Sequence, residues 1–416
     1  SRFRLCGLYS ERVFPSFPHN HKCQLRQAII DASTGARRFF AVVWNASYAT
    51  AKTMPKYRST PQFEHGLSQS TGVLVVNLGT PDAPTAGAVR RFLRQFLSDP
   101  RVVEYPRLLW WLILNLVILP IRPSRSAAAY RKIWTDQGSP LLLHSQTIAN
   151  KLRDRLGSAT DTPILVELAM TYGRPSVAAA IEKLLASGAR RIITLPLYPQ
   201  YSGTTTAPVF DVVVRELGKQ RWIPESRFIN DYHDAPAYVG ALTRSVRDSW
   251  EKNGRGDKLL MSFHGVPKQT LIDGDPYHCQ CRKTARLLEE SLGLSDTEWA
   301  ISFQSRVGRE EWLAPYTDVT VKGFGQQGLS RLDVICPGFS TDCLETLEEI
   351  EMQNAEFFLA AGGGSLHYIP SLNARDDHVD FLATLIAQHN SGWSANNDPA
   401  ARRSTRERAV AMGAHS

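Results

Sequence analysis

Two short stretches carry residues able to do acid–base or metal chemistry. "KLLMSFHGVP", residues 258–267, is an apolar run that ends on His264 and turns at once through Gly265 and Pro267. "CPGFSTDCLETLEEIE", residues 336–351, leaves another apolar run and sets Asp342, Glu345 and Glu349 at i, i+3 and i+7, with Glu348 beside them. On an α-helix starting near Thr341 or Asp342 those three acids share one face. Carboxylates gathered in one cleft repel, so at least one should hold its proton more tightly than a free glutamate. A histidine facing them can bind a divalent cation or relay protons. Each stretch also has a plainer reading: a capped strand end for His264, and dipole-favoured or solvated acids for the others.

Other site chemistries find no support. No histidine pair has H-x-x-x-H or H-E-x-x-H spacing, which argues against a closed structural zinc site. Cys279, Cys281, Cys336 and Cys343 fit no iron–sulfur spacing and read as free thiols, so neither a [2Fe–2S] centre nor another prosthetic group is expected. No glycine-rich phosphate loop follows a strand; "AAGGGS", residues 360–365, follows a helical pattern and reads as a helix stop.

The elements that must position these residues alternate. Residues 72–81, 164–173 and 191–203 are apolar, β-branched runs closed by Gly or Pro, and residues 258–267, 299–308 and 331–342 repeat the scheme. Between the second and third runs, Val177, Ile181, Leu184 and Leu185 recur at helical spacing. Strand, helix, strand implies a crossover and a parallel sheet. The interval from Pro175 to Gly188 equals that from Pro315 to Gly328, and each glycine leads through an arginine into an apolar strand. The expected fold is α/β: two Rossmann-like domains, each a parallel sheet flanked by helices, over residues 71–240 and 241–390. Ligands of such sheets bind past the carboxyl ends of the strands. Those ends offer Tyr172, Tyr198, Tyr201, Ser202, Gln304, Ser305, Arg306 and Trp312, suited to a large flat ligand bearing carboxylates.

The net charge of +8 sits mostly in residues 1–53, which hold eight Lys/Arg against two acids and leave the remainder at +2. A nearly neutral body gives no electrostatic case for nucleic acid. Residues 1–70 read as an extension, and before Met54 as a translation artefact, a targeting peptide or a disordered segment. Residues 391–416 read as a disordered tail. The greasiest stretch, "LLWWLILNLVILPI" at 108–121, is shorter than the ~20 residues a membrane span needs. It suits a core helix, an apolar lip over a pocket, or a segment lying on a membrane surface.

Taken in order, "VNLGTPDAPT", "YRKIW…GSPL", "LPLYPQYSGTTT", "SFHGVP", "GDPY", "FQSRVGREEWLAPYTD" and "CPGFSTDCLETLEEI" resemble the ferrochelatase family, in its Gram-negative bacterial form, from about Thr71 to His389. The resemblance implies insertion of Fe2+ into protoporphyrin IX with release of two protons, the last step of haem synthesis, in a porphyrin cleft between two Rossmann-like domains. It places the family's histidine on His264 and its key glutamate on Glu345, as base or metal ligand. Asp342, Glu348 and Glu349 then continue as a proton or metal path. Leu78 stands where some members carry a metal-contacting tyrosine, and joins Tyr172, Tyr198, Tyr201, Ser202, Ser305, Arg306 and Trp312 in the implied pocket. The family's pocket lip falls on about 90–121, with peripheral membrane contact through residues 106–121. Fe2+ is a substrate in this reading, and the implied location is the cytoplasm, at the inner membrane. A cobalt chelatase of corrinoid synthesis or a non-catalytic tetrapyrrole or metal carrier shares the architecture.

Overall fold

The computed structural model describes residues 57–59, 65–66, 70–158, 164–308, 310–393 and 398–414. The expectations for residues 1–53 and Met54 lie outside them. Among the described residues, eight strands form two four-stranded sheets. The first holds β1 (Ser70–Asn77), β2 (Ile164–Met170), β3 (Ala189–Pro196) and β4 (Glu225–Phe228) in the order β2-β1-β3-β4. The second holds β5 (Lys258–His264), β6 (Trp299–Gln304), β7 (Arg331–Ile335) and β8 (Ser365–Ile369) in the order β6-β5-β7-β8. Every pairing is parallel. Helices cover both faces, so β1 is buried throughout and β5 at all but its two end residues, and both read as apolar runs.

The expected repeat is visible in detail. Arg174–Pro175 and Ala314–Pro315 are both cis, and Gly188 and Gly328 both have positive φ. The last residue of β2 donates its N–H to Pro175 O at 2.7 Å, and Phe303 in β6 donates to Pro315 O at 2.8 Å. The helix between the cis proline and β3 is Val177–Ala186, started by Ser176, whose hydroxyl accepts from Ala179 N.

The two halves share a core. One apolar cluster joins Val73, Val75 and Ile193 of the first sheet to Leu259, Met261 and Phe263 of the second. The boundary expected at residue 240 falls inside the helix Pro236–Asn253, which gives Tyr238, Leu242 and Val246 to that cluster. Both sheets accordingly belong to one unit, Ser59–Ser416.

Two other expectations are corrected. The apolar stretch does not stop at residue 121: one helical run spans Arg107–Ile133, long and apolar enough by length and composition to cross a membrane. A π-helical stretch, Leu114–Ile118, precedes Pro120, and Leu119 N–H bonds to Leu114 O. Where the α-helical ladder is already interrupted, a missing proline N–H costs little. The run buries Leu114, Leu119, Ala127, Tyr130 and Ile133, and exposes Leu108, Leu109, Trp111, Leu116, Val117 and Ile121. The tail expected to be disordered contains a helix, Pro399–Ala411, with Asp398 capping Ala400 N and proline at its start.

Candidate active site

His264 is the last residue of β5, paired in register with Gln304 of β6. Leu259, Leu260, Met261 and Phe263 anchor the strand in the core, while His264 is half-buried at its carboxyl end. Its Nδ1 lies 2.6 Å from Gly265 O. A carbonyl only accepts, so Nδ1 is the donor in this contact and Nε2 is the ring nitrogen left for other partners. The backbone is held too: Tyr277 Oη donates to His264 O at 2.9 Å. Gly265 is needed for a close approach, since a Cβ there would meet Gln304 O at 2.8 Å and Trp312 Cε3 at 3.2 Å.

The acidic segment differs from the expected α-helix. It is π-helical over Glu345–Asn354, and Asp342 lies ahead of it in the connecting turn. The i→i+5 ladder widens each turn, so Glu345 and Glu349 remain near one face while Asp342 leaves it. The strand end of β6 grips this helix twice. Gln304 Nε2 donates to Glu345 O at 2.7 Å. Ser305, held at φ +65, turns both its N–H, at 2.7 Å, and its hydroxyl onto the Glu349 carboxylate.

The four acids have different surroundings. Burial pushes the Glu349 carboxyl above the ordinary range; Ser305 and His264 oppose that shift, and the nearby Glu345 charge adds to it. The direction is the one expected from the sequence, but burial comes first among its causes and the carboxylate repulsion expected there comes last. Glu348 is buried and accepts from Lys132 Nζ at 2.8 Å and Gln353 Nε2 at 3.0 Å. Asp342 is buried under donors described below. The Glu345 charge is felt by Tyr130 and Cys343, whose groups are pushed up first by burial and then by that carboxylate.

The expected pocket residues divide. Half-buried Leu78 packs against the cluster beneath the lip helix. Tyr172 belongs to the same cluster: it is buried, meets Phe96 edge-on and donates to Asp99 Oδ2 at 2.9 Å. Ser202 is also buried, donating to Asp275 Oδ2 at 3.0 Å, so its hydroxyl shapes the loop. Half-buried Tyr201 is fixed through its N–H to Gln280 Oε1 at 2.6 Å. Tyr198 is half-buried, with Thr171 beside its hydroxyl. Arg306 is exposed, stacked 4.1 Å over Tyr316 with Asp318 at 3.8 Å. Trp312 is half-buried and bridges to Pro267. Ser305 serves Glu349. Cys279 is exposed; Cys281, Cys336 and Cys343 are buried free thiols.

Sequence reasoning gave no role to Asp275 and Tyr277, although the "GDPY" motif contains both. Asp275 accepts from Gly203 N and Ser202, and Tyr277 holds His264. It also passed over Asp231, His233 and Asp234. Among the described residues these are the one group of three possible metal-ligating side chains with ligand atoms within 4.8 Å of each other, and the close D-x-H-D spacing was its signal. Lys283 already pairs with Asp234 there. His264, Glu345 and Glu349 are not drawn into so tight a group.

The Ferrochelatase family model matches residues 70–390. Over 366 residues the sequence is 54% identical to a ferrochelatase of Thioalkalivibrio sulfidiphilus (strain HL-EbGR7), covering 86% of this chain and 99% of that one. The chain belongs to the ferrochelatase family. A second ferrochelatase, of Idiomarina loihiensis (strain ATCC BAA-735 / DSM 15497 / L2-TR), is 51% identical over 342 residues, covering 82% of this chain and 94% of its own. Among solved structures, SirB from Bacillus subtilis with Fe3+ aligns at 10% identity and TM-score 0.47, over 78% of this chain and 96% of that one. As a ferrochelatase the enzyme is a metal chelatase of the lyase class, inserting Fe2+ into protoporphyrin to give protohaem.

Proposed function

We propose that His264, Glu345 and Glu349 carry the iron-insertion reaction in this chain. A metal enters a flat macrocycle only when two pyrrole N–H protons leave. His264 Nε2 is the acceptor for a pyrrole proton, because Nδ1 is committed to Gly265 O. Glu349 takes that proton onward, which frees Nε2 to accept the second; its carboxyl, raised by burial, is nearer in proton affinity to a histidine than an ordinary glutamate is. Glu345, four residues earlier on the same π-helix, is the carboxylate that meets Fe2+ as it sheds water. Tyr198, Tyr201 and Trp312 supply aromatic wall for the porphyrin, and exposed Arg306 a cation for its carboxylates.

The observation that carries this reading is the convergence of His264 and Glu349 on one carboxyl edge, with each group's other side fixed by the protein. The test is incubation of the enzyme with protoporphyrin and Fe2+ under anaerobic conditions, or with Zn2+, followed by absorbance. Metalloporphyrin formation with Fe2+ supports the reading. Bound porphyrin that never becomes metallated makes the chain a carrier. Turnover only with Co2+ and a corrinoid precursor makes it a cobalt chelatase.

We also propose that the enzyme works in the cytoplasm with the lip helix resting on the membrane. Leu108, Leu109, Trp111, Leu116 and Ile121 are exposed on it, with Arg107 and Arg122 placed to meet anionic headgroups. Sedimentation with vesicles containing anionic lipid tests this; no co-sedimentation would contradict it.

A further inference from the structure

We propose that Asp342 neither carries protons nor binds iron, but is the residue that positions Glu345. The inference rests on the reading of Glu345 as a reactive carboxylate. Asp342 is 5% exposed. Its Oδ1 accepts from Tyr368 Oη at 2.6 Å, Thr346 Oγ1 at 3.1 Å and Ser371 N at 3.2 Å. Its Oδ2 accepts from Asn373 Nδ2 at 2.6 Å. A carboxylate offers about two lone-pair sites on each oxygen; three donors crowd Oδ1, and Asn373 takes one site of Oδ2. A proton or metal arriving at Oδ1 would have to displace a donor already in place, and Asp342 as a whole is buried with Asn373 holding Oδ2.

The donors come from three segments, and each is held in turn. Tyr368 is the penultimate residue of β8, and Ser371 and Asn373 lie in the loop that follows. Asn373, at φ +48, grips Asp342 a second time, accepting from its N–H through Oδ1 at 2.8 Å. Asn373 also donates its own N–H to Ser340 O at 2.9 Å, and its carbonyl accepts from His378 Nδ1 at 2.8 Å. His378 is fully buried, and burial pushes its pKa down to about 4, so it stays neutral. Thr346 lies on the far side, inside the first turn of the π-helix, and its Oγ1 also accepts from Cys343 N at 3.0 Å. Asp342 therefore ties β8, the loop after it and the first turn of the acidic helix to one point. Glu345 sits within that turn. The Asp342 charge is felt by His144, Tyr368, Cys336 and Glu351, and of these Tyr368 is the one that hydrogen-bonds to it.

The test is a double-mutant cycle in the full chain. Tyr368→Phe and Asp342→Asn are each made alone and together with Glu345→Gln, and kcat, KM for the metal and the pH profile of kcat are measured well below each variant's Tm. Each single change should lower kcat about tenfold, the loss expected for one misplaced buried hydrogen bond. In the Glu345→Gln background the same changes should cost less than about twofold, because groups acting through one residue are non-additive. The limbs of the pH profile should not move in Tyr368→Phe. Losses that multiply in the double variants, or a shifted pH limb, would overturn the proposal by giving Asp342 its own chemical role. Single variants that are less stable but fully active would overturn it by making Asp342 a stability residue only. Tyr368→Phe leaves Asp342 in place and keeps the test available if Asp342→Asn does not fold. Full activity of Glu345→Gln alone would instead defeat the reading of Glu345.

Discussion

In the first half of the chain, β1 runs into Leu78 and Gly79 and onward to an apolar helix; in the second, its counterpart β5 ends on His264. The third strands differ in the same sense. β3 leads to a loop of tyrosine, serine and threonine, and β7 leads to the acidic π-helix. Yet strand order, cis prolines and positive-φ glycines correspond between the halves. The scaffold is duplicated, and the chemistry sits at strand ends that the scaffold leaves free to vary. The first half carries the outward apolar face, and the second carries His264 and the acidic helix. The two meet where Lys132, near the end of the lip helix, pairs with Glu348 on the acidic helix.

This division can be broken at several points. The largest effect is expected at the ionisable edge. Glu345→Gln removes the carboxylate that meets Fe2+ and should lower kcat by about 10²–10⁴-fold, as much as the loss of a positioned acid–base group, with far-UV circular dichroism unchanged. Glu349→Gln should also lose turnover, by about 10²-fold, but should gain stability. Its raised carboxyl means that the folded state holds the proton more tightly than the unfolded state does. Stability from this group is therefore highest below the ordinary glutamate pKa and falls as pH rises through the raised value. Thermal melts should show Glu349→Gln above wild type at pH 8, with the gain fading toward pH 4; a gain that grew on acidification would reverse the assignment. Gly265→Ala comes next. The added methyl meets Gln304 O and the Trp312 ring, so urea titration should show a loss of about 1–3 kcal/mol. The smallest effect on chemistry is expected at the lip: Trp111→Asp with Leu116→Asp should abolish vesicle binding yet change turnover with detergent-dispersed porphyrin less than about twofold, as exposed substitutions do. A lip variant that lost chemistry without membranes present would erase the contrast between the halves.

Much of the scaffold was legible because central parallel strands are buried on both faces and appear as continuous apolar runs. β4 and β8 were not, being short edge strands with polar residues such as Glu225, Arg227 and His367. The lip helix was cut short at residue 121 because a local reading of Pro120 and Pro123 cannot see the π-helical stretch before them. The same limit misplaced Asp342: equal spacing on an α-helix put three acids on one face, and the π-helix starts after the first of them. His264 and the acids could be picked out by type and motif. Which acids were already occupied could not, since Lys132, Ser305 and Tyr368 reach Glu348, Glu349 and Asp342 from distant segments.

The central claim is that His264 Nε2 takes a pyrrole proton while the rest of the cleft holds the porphyrin. It is tested most directly by His264→Ala, with porphyrin affinity and metal insertion measured on the same preparation. Binding of protoporphyrin within about threefold of wild type, together with insertion reduced by 10²-fold or more, is the predicted result for a positioned base. Near-normal insertion of Fe2+ by His264→Ala would contradict the account.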